Sequence, residues 1–433
     1  MNQFTLASKQ KNVLIGFMAL GVLSMILTFI GDDALHTRFW TNYLHNTVFF
    51  TGIAFIALFI MAAFTTAWGG WYVAMKRVWE AFSLFLIPGL ILFIPIIIGM
   101  WGHLHHLYHW SDKAEVAVDA VLLGKSGFLN PVWYSLGTLL IVGAWIFFAL
   151  KIRTLSLAED ASGKGLDDNF FHHRSIRVWA AIFLPVAGFS SAAMIWQWLM
   201  SIDSHWYSTM FAWYTGASWF VSAMALTILL LLYLRSKGYY LNLLGSHFHD
   251  LGKFLFAFSV FWTYLWFSQF MLIWYANVGE ETVYFRERMD NYPVLFYGNL
   301  LLNFIVPFFV LMRNDSKRKT GIVATAAIIT FLGHWMDFFQ MIKPGARHTA
   351  MEALASHGAE HAAEAGHHAM GFAAGFTIPG LLELGTMLGF LAFFLYFVLS
   401  QLEKAALSPK NDPYNVETDH HQVWPFSDGA SHH

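Results

Sequence analysis

Three polar residues recur at helical spacing inside one long apolar stretch. Thr330, His334 and Asp337 stand at positions i, i+4 and i+7 of segment 320–342, so a helix places them on one face. An imidazole and a carboxylate exchange protons, and ionisable groups are costly in a bilayer unless they serve a function or find a partner. The pattern predicts a proton-exchanging stripe, with pairing inside a helix bundle as the alternative.

Four further ionisable residues lie within or beside apolar stretches: Glu383, His45, Asp203 and Glu80. The topology predicted below places His45, Asp337 and Glu383 in the outer half of a membrane. Asp203 then lies just outside the membrane and Glu80 at the inner end of its segment. We expect the outer groups to form half of a proton pathway or to line a pocket for a quinone head, and Glu80 to face the other side. The alternative is that each group pairs with a neighbour and holds the bundle together.

Metal and haem sites have little support. A His-x3-His pair on one helix face can bind a metal, although a solvated histidine cluster looks the same. The histidines that crowd one predicted outer loop are His103, His105, His106 and His109. A haem b needs two histidines at matched depth, and only His45 and His334 lie inside apolar segments. The chain has no cysteine, which excludes Cys-ligated Fe–S clusters and covalently attached haem. We therefore expect no metal or cofactor in this chain.

The elements that position these residues are membrane helices. The chain is 57 % hydrophobic and 12 % charged, with a mean hydropathy of +0.51. The net charge of −2 gives no reason to expect a nucleic acid partner. The first apolar run lacks a small-residue cleavage site and is expected to be an uncleaved span. The predicted spans are 12–31, 43–67, 80–101, 130–151, 175–200, 211–234, 250–276, 291–312, 320–342 and 376–402.

Basic residues orient the spans. Of the Lys and Arg residues, 18 fall on the side of the N-terminus and 7 on the other, so both termini are expected in the cytoplasm. A weak similarity at a shift of four helices predicts two four-helix bundles, spans 2–5 and 6–9, plus two flanking helices. The expected organisation is a polytopic membrane domain over 1–405, a His/Ala-rich periplasmic loop over 343–375, and a polar cytoplasmic tail over 406–433. The tail is expected to be extended and to lie on a partner.

Segment 250–276 combines many aromatic residues with polar ones at helical spacing. Ser259 and Thr263 are four residues apart, as are Tyr264 and Ser268. Lipid offers such groups no hydrogen-bond partner. We therefore expect this helix to be central to a bundle.

Three stretches carry a resemblance to a known family. They are FHHRSIRVWAAIFLP from Phe171, WQWLMSIDSHWYSTMFAWY from Trp196, and LGKFLFAFSVFWTYLWFSQFMLIWYANVGEETVYF from Leu251. Together they resemble the NrfD/polysulfide-reductase-type membrane subunits of alternative complex III, and are most similar to the second such subunit, the ActF type. The resemblance covers residues 10–405, and its most specific part is the third stretch.

The resemblance implies an integral subunit of a respiratory quinol:cytochrome c oxidoreductase in a bacterial inner membrane. It implies as partners a sister NrfD-like membrane subunit, an Fe–S subunit, a multihaem cytochrome c subunit, small single-span subunits and a terminal oxidase. The c-type haems and Fe–S clusters would belong to those partners. This chain would carry no redox centre and would contribute a proton-transfer path or structural support. The resemblance assigns no quinol-binding residue here.

Two other functions are compatible with the residues. A stand-alone proton-coupled secondary transporter would also need a buried acidic site among kinked helices. A haem b quinol oxidase subunit would need histidine ligation that the sequence barely supplies. Co-purification with haem and Fe–S proteins would distinguish the respiratory subunit from the transporter.

Overall fold

Ten membrane-spanning helices make up most of the described chain. A computed structural model describes residues 3–162, 170–241, 243–356 and 377–421, without the side chains of 352–356. This part is 81 % helical and contains no strand, so the protein is an all-α multi-pass membrane protein, as predicted. The spanning helices are α1 (Ser8–Ile30), α2 (Thr37–Thr66), α3 (Val73–Trp101), α4 (Pro131–Ala161), α5 (Phe171–Ile202), α6 (Met210–Ser236), α7 (Gly245–Ala276), α8 (Pro293–Leu311), α9 (Thr320–Met351) and α10 (Leu381–Leu402).

The helices pack as two groups of four with two flanking helices. In the first group α2 and α4 each contact α3 and α5, and in the second α6 and α8 each contact α7 and α9. The groups meet where α2 packs on α6 and α9. The flanking helices α1 and α10 pack on each other, and a Cβ on Gly389 would come within 2.5 Å of the Gly21 Cα. The absence of side chains at this crossing allows the two backbones to touch.

The aromatic helix α7 is buried on one face only, so it is less central than predicted. Only 28 % of its most apolar stretch is buried, against 83 % for α2 and for α6. It buries Ser259, Trp262 and Gln269 but leaves Tyr264 and Trp274 exposed. An aromatic side chain suits lipid as well as a protein core, and composition therefore does not distinguish the two environments.

Helix α9 is longer than predicted. The sequence predicts a loop from Lys343 onward, but the helix continues through Pro344 and, past the end of its membrane span at Met351, to Ser356. Proline removes the N–H that would bond to the carbonyl of Gln340. The Arg288 guanidinium donates to that carbonyl at 3.2 Å and so replaces the missing donor. The remainder of the predicted His/Ala-rich loop, 357–375, lies outside the described residues.

Helix α1 begins and helix α10 ends at the same end of the bundle, as an even number of spans requires. The Gln3 amide donates to the Glu403 carbonyl at 2.7 Å. This end is named the terminal face, and the opposite end the distal face. The tail folds back on the terminal face instead of extending toward a partner, at least up to His421; residues 422–433 lie outside the described part. Lys76 donates to Asp412 at 2.8 Å, and Thr418 donates to the Trp71 carbonyl at 2.8 Å.

Replacing Asp412 with Asn should release the tail. Burial alone would raise the pKa of the Asp412 carboxyl, but the charge and hydrogen bond of Lys76 outweigh burial and lower it. A lowered pKa means that the pair stabilises the folded tail at neutral pH, and that this is lost only as the pH falls below the ordinary value of 3.8. Asp412→Asn should lower the free energy that holds the tail on the terminal face by about 1–3 kcal/mol at neutral pH. Limited proteolysis should then cleave the segment after Leu402 faster.

The exposed Val416 provides a control in the same tail, since 71 % of it is accessible. Val416→Ser should leave the cleavage rate unchanged. Equal protection of the tail in Asp412→Asn and in the unaltered protein would show that the ion pair does not hold it.

Candidate functional site

The centre of the second helix group holds a buried carboxylate with four hydrogen-bond donors. Asp337 lies on α9 and its side chain is fully buried. Its Oδ1 accepts from the Tyr214 hydroxyl, and from the Asn299 amide at 2.6 Å. Its Oδ2 accepts from the Ser218 hydroxyl and the Trp262 indole, both at 2.9 Å. Because these donors come from α6, α7 and α8, one carboxylate connects all four helices of the group.

All four donors to Asp337 are neutral. Among the described residues, the basic atom closest to its Oδ2 is His334 Nδ1, at 4.0 Å. An ionised carboxylate in a membrane interior needs such donors to replace its hydration. Because no buried cation is paired with Asp337, its carboxyl can be protonated without leaving a positive charge unpaired. The hydroxyls of Tyr214 and Ser218 can then turn to accept a hydrogen bond from the protonated carboxyl. Both protonation states of Asp337 therefore have a hydrogen-bonding arrangement available.

Ser218 joins the histidine of the predicted stripe to its aspartate. Its Oγ lies 2.8 Å from His334 Nδ1 and donates to Asp337. A hydroxyl has one proton, so if it donates to Asp337 then His334 must donate through Nδ1. The result is a directional relay from imidazole to hydroxyl to carboxylate. The other ring nitrogen of His334, Nε2, is buried without a partner in the described part of the chain.

Polar groups continue from Asp337 to the distal face. The Asn299 amide also approaches Gln340 Oε1 at 3.3 Å, and the Gln340 backbone carbonyl accepts from Arg288. Arg288 then donates to Asp203 at 2.9 Å, and the Asp203 side chain is 17 % exposed. The sequence-predicted residues Asp203 and Asp337 are thus joined through three residues that the prediction omitted.

Arg288 is a fixed charge on this route. Burial alone would lower the pKa of its guanidinium, but the neighbouring Tyr284 and Asp203 raise it above the ordinary value. Its guanidinium carbon lies 3.4 Å from the centre of the Tyr284 ring. Arg288, Tyr214, Gln269 and Gln340 line a small cavity with room for about one water molecule, and most of its remaining wall is aromatic. A water in this cavity would extend the polar route from Tyr214 toward the distal face.

A widened turn of α8 brings a second asparagine to the site. Residues Leu301–Ile305 form a π-helical turn just before Pro307, a distortion that recurs at functional sites. Asn303 donates to Asn299 from this turn. It fits because its neighbour on α9 is Gly333, where a Cβ would come within 2.2 Å of Asn303 Oδ1.

Gly333→Ala should therefore displace Asn303 and destabilise the protein. Overpacking of this kind costs about 1–3 kcal/mol. The matched control is Gly321→Ala on the same helix, where a Cβ meets nothing within 4 Å. Thermal unfolding in detergent should show a lower Tm for Gly333→Ala and no loss for Gly321→Ala. Equal Tm values would mean that α8 can move to accommodate the added methyl group without any loss of stability.

Thr330 and His45 are two of the four predicted residues that lie outside this network. Thr330 bonds back to the Ala326 carbonyl of its own helix at 2.9 Å. His45 stacks on Trp335 and bonds to its carbonyl oxygen at 2.9 Å, which fastens α2 to α9. The predicted stripe therefore reduces to His334 and Asp337, because helical spacing aligns side chains but does not choose their partners.

Glu383 is held in a separate distal cluster. Arg38 binds its carboxylate with two N–H groups at 2.6 and 2.9 Å, and Asn42 donates at 3.1 Å. Lys343, which is fully buried, donates to Asn42 and Thr41 at 2.6 Å. A carboxylate whose two oxygens each accept a hydrogen bond from one guanidinium stays ionised. The Glu383–Arg38 pair joins α10 to α2. This is the pairing alternative considered for Glu383.

Glu80 lies in an ion network at the terminal face. The carboxylate accepts from Arg77 at 2.6 Å and from Arg153. Arg77 also donates to Asp160 and, at 3.1 Å, to Ser156. All of these groups are buried or nearly so. The network fastens α3 to α4 and gives Glu80 a structural role.

The described residues offer no arrangement for a metal ion. Among them, no group of three or more His, Cys, Asp and Glu could hold one. His105 points into the bundle, where burial lowers its pKa to about 4, whereas His109 lies beside Glu115. Comparison of the sequence with models of known protein families and with characterised proteins finds no match. The geometry around Asp337 therefore carries the functional assignment.

The network residues that the sequence prediction omits each have an ordinary alternative explanation. A tyrosine near the end of a span, such as Tyr214, is typical of an aromatic belt at the membrane surface, and a basic residue outside the spans, such as Arg288, indicates topology. The spacing of Tyr214 and Ser218, and of Asn299 and Asn303, is i and i+4 in both cases, so each pair shares a helix face. Polar pairs at that spacing in two apolar helices were the available signal.

Proposed function

We propose that this chain is a non-redox membrane subunit of a respiratory quinol-oxidising complex and carries a proton-exchange site at Asp337. The observation that supports the site is a fully buried carboxylate held by four neutral donors and joined by Ser218 to His334. The three sequence stretches that resemble NrfD-type subunits support the setting. The c-type haems and Fe–S clusters of such a complex would reside in partner subunits.

Proton exchange follows from the contrast between two buried carboxylates. Glu383 is bound by a guanidinium, so protonation would leave Arg38 without its partner. Asp337 has only neutral donors, so it can take up a proton from His334 through Ser218 once His334 Nε2 has gained one, and can release it through the Tyr214 hydroxyl to a water in the cavity that Tyr214 lines. The polar route through Gln340, Arg288 and Asp203 leads to the distal face, which is the periplasmic face in this proposal.

Purification of the native assembly tests the proposal. The chain would be tagged in its own bacterium, the membranes solubilised mildly, and the product characterised by its visible redox spectrum and by mass spectrometry. We expect a c-type haem spectrum together with an Fe–S protein and a second polytopic subunit. A colourless protein that purifies alone would overturn the respiratory assignment and favour a proton-coupled secondary transporter.

A further inference from the structure

A second cleft lies on the distal face, away from Asp337. It has a volume of about 250 Å³ and lies between the distal end of α5, the loop that precedes α4 and the loop that follows α5. Most of its wall is aromatic or aliphatic, with one basic residue. Its lining residues include Lys125, Phe128, Trp196, Met200, Ser204 and Trp206.

The basic residue of the cleft is Lys125. Its amine donates one hydrogen bond, to the Ser204 carbonyl at 2.6 Å, and lies 5.6 Å from the centre of the Tyr207 ring. Among the described residues, no carboxylate oxygen lies within 4.0 Å of this amine; Asp119 is paired with His205 at 2.5 Å. An ammonium group has three donors. Two remain for a ligand. Burial lowers the pKa of Lys125, and the charge of Asp119 opposes part of this effect.

The cleft wall contains further donors without acceptors. The indole N–H groups of Trp196 and Trp206 and the hydroxyl of Ser204 are buried and have no partner in the described chain. Buried donors are normally paired, so these three are available to an acceptor that a ligand brings. Trp206 is fixed by stacking on Tyr284 at 3.9 Å between ring centres. One cation and three neutral donors match the oxygens of an anionic group.

The surroundings of the cleft indicate that a ligand would enter it from the lipid bilayer. The cleft lies at the level where α4 begins and α5 ends, which is where lipid headgroups lie in a bilayer. Exposed apolar side chains flank it, with 57 % of Leu123, 60 % of Tyr207 and 69 % of Trp213 accessible. Phe128 and Met200 extend the apolar wall. A ligand here meets donors at one end and hydrocarbon at the other.

We propose that this cleft binds one phospholipid with an anionic headgroup. The phosphodiester oxygens would accept from Lys125, Ser204 and the two indoles, and an acyl chain would lie over Phe128 and Met200. Anionic lipid would therefore anchor the distal ends of α4 and α5. The site is independent of Asp337 and of the respiratory assignment.

Lipid titration of the purified, delipidated assembly tests the site. Phosphatidylglycerol would be added in detergent and retained lipid counted by native mass spectrometry. We expect Lys125→Gln to weaken retention of one phosphatidylglycerol about tenfold, the loss of one charged hydrogen bond. Trp206→Phe keeps the stacked ring but removes the N–H, and should weaken retention less. Lys113→Gln, an exposed change on the same face, should bind like the unaltered protein.

The competing ligands have separate outcomes. Inorganic phosphate in place of lipid should not occupy the site, because it lacks the acyl chain. Equal retention of phosphatidylcholine, equal retention by Lys125→Gln, or displacement of the lipid by free phosphate or by a short-chain quinone would each overturn the proposal.

Discussion

Replacing Asp337 with Asn is expected to stop proton transfer while the assembly survives. Asparagine has the shape of aspartate and keeps an oxygen for Tyr214 and Asn299, but it cannot carry a proton. It also turns an amide toward Trp262, which costs about 1–3 kcal/mol. Removing a positioned proton-transfer group slows the transfer about 100-fold or more. The measurement is proton release per electron in proteoliposomes that contain the assembled complex.

The control for Asp337→Asn is Thr330→Val. Thr330 is buried on the same helix, two turns away, and bonds only to its own backbone. Thr330→Val should preserve the proton-to-electron ratio. If the assembled Asp337→Asn complex kept an unchanged ratio, Asp337 would be a structural polar centre and the proton route would have to lie elsewhere.

Glu80→Gln is expected to destabilise the protein strongly without changing proton transfer. The substitution leaves the buried guanidinium groups of Arg77 and Arg153 without their shared carboxylate. Breaking a buried ion pair by removing one partner costs about 3–5 kcal/mol. Thermal unfolding in detergent should show a clearly lower Tm, while the complex that does assemble should keep its proton-to-electron ratio.

An exposed ion pair provides the comparison. Arg286 and Asp290 lie 3.5 Å apart, with most of both side chains accessible. Asp290→Asn should leave the Tm unchanged, because solvent screens such a pair. A lowered proton-to-electron ratio in Glu80→Gln would return Glu80 to the proton path, which is the role considered for it from the sequence.

The number of spans and their order could be read from the sequence. Each helix needs about 20 apolar residues to cross a bilayer, and this requirement is local to each segment. The common end at which α1 begins and α10 ends follows from the even count and is confirmed by the contact between Gln3 and Glu403. The end of α9 could not be predicted, because the helix passes Pro344 only with a hydrogen bond from Arg288, more than 50 residues earlier.

The candidate site around Asp337 was likewise determined partly by the sequence and partly by the tertiary structure. Sequence alone determined that His334 and Asp337 share a helix face inside the membrane, because that follows from 3.6 residues per turn. Tertiary structure alone decided which carboxylate meets neutral donors and which meets arginine. Glu80, Asp337 and Glu383 are all acidic residues in apolar stretches. Only packing between helices separates Asp337 from the other two, since hydrogen-bond partners come from chain positions that periodicity does not relate.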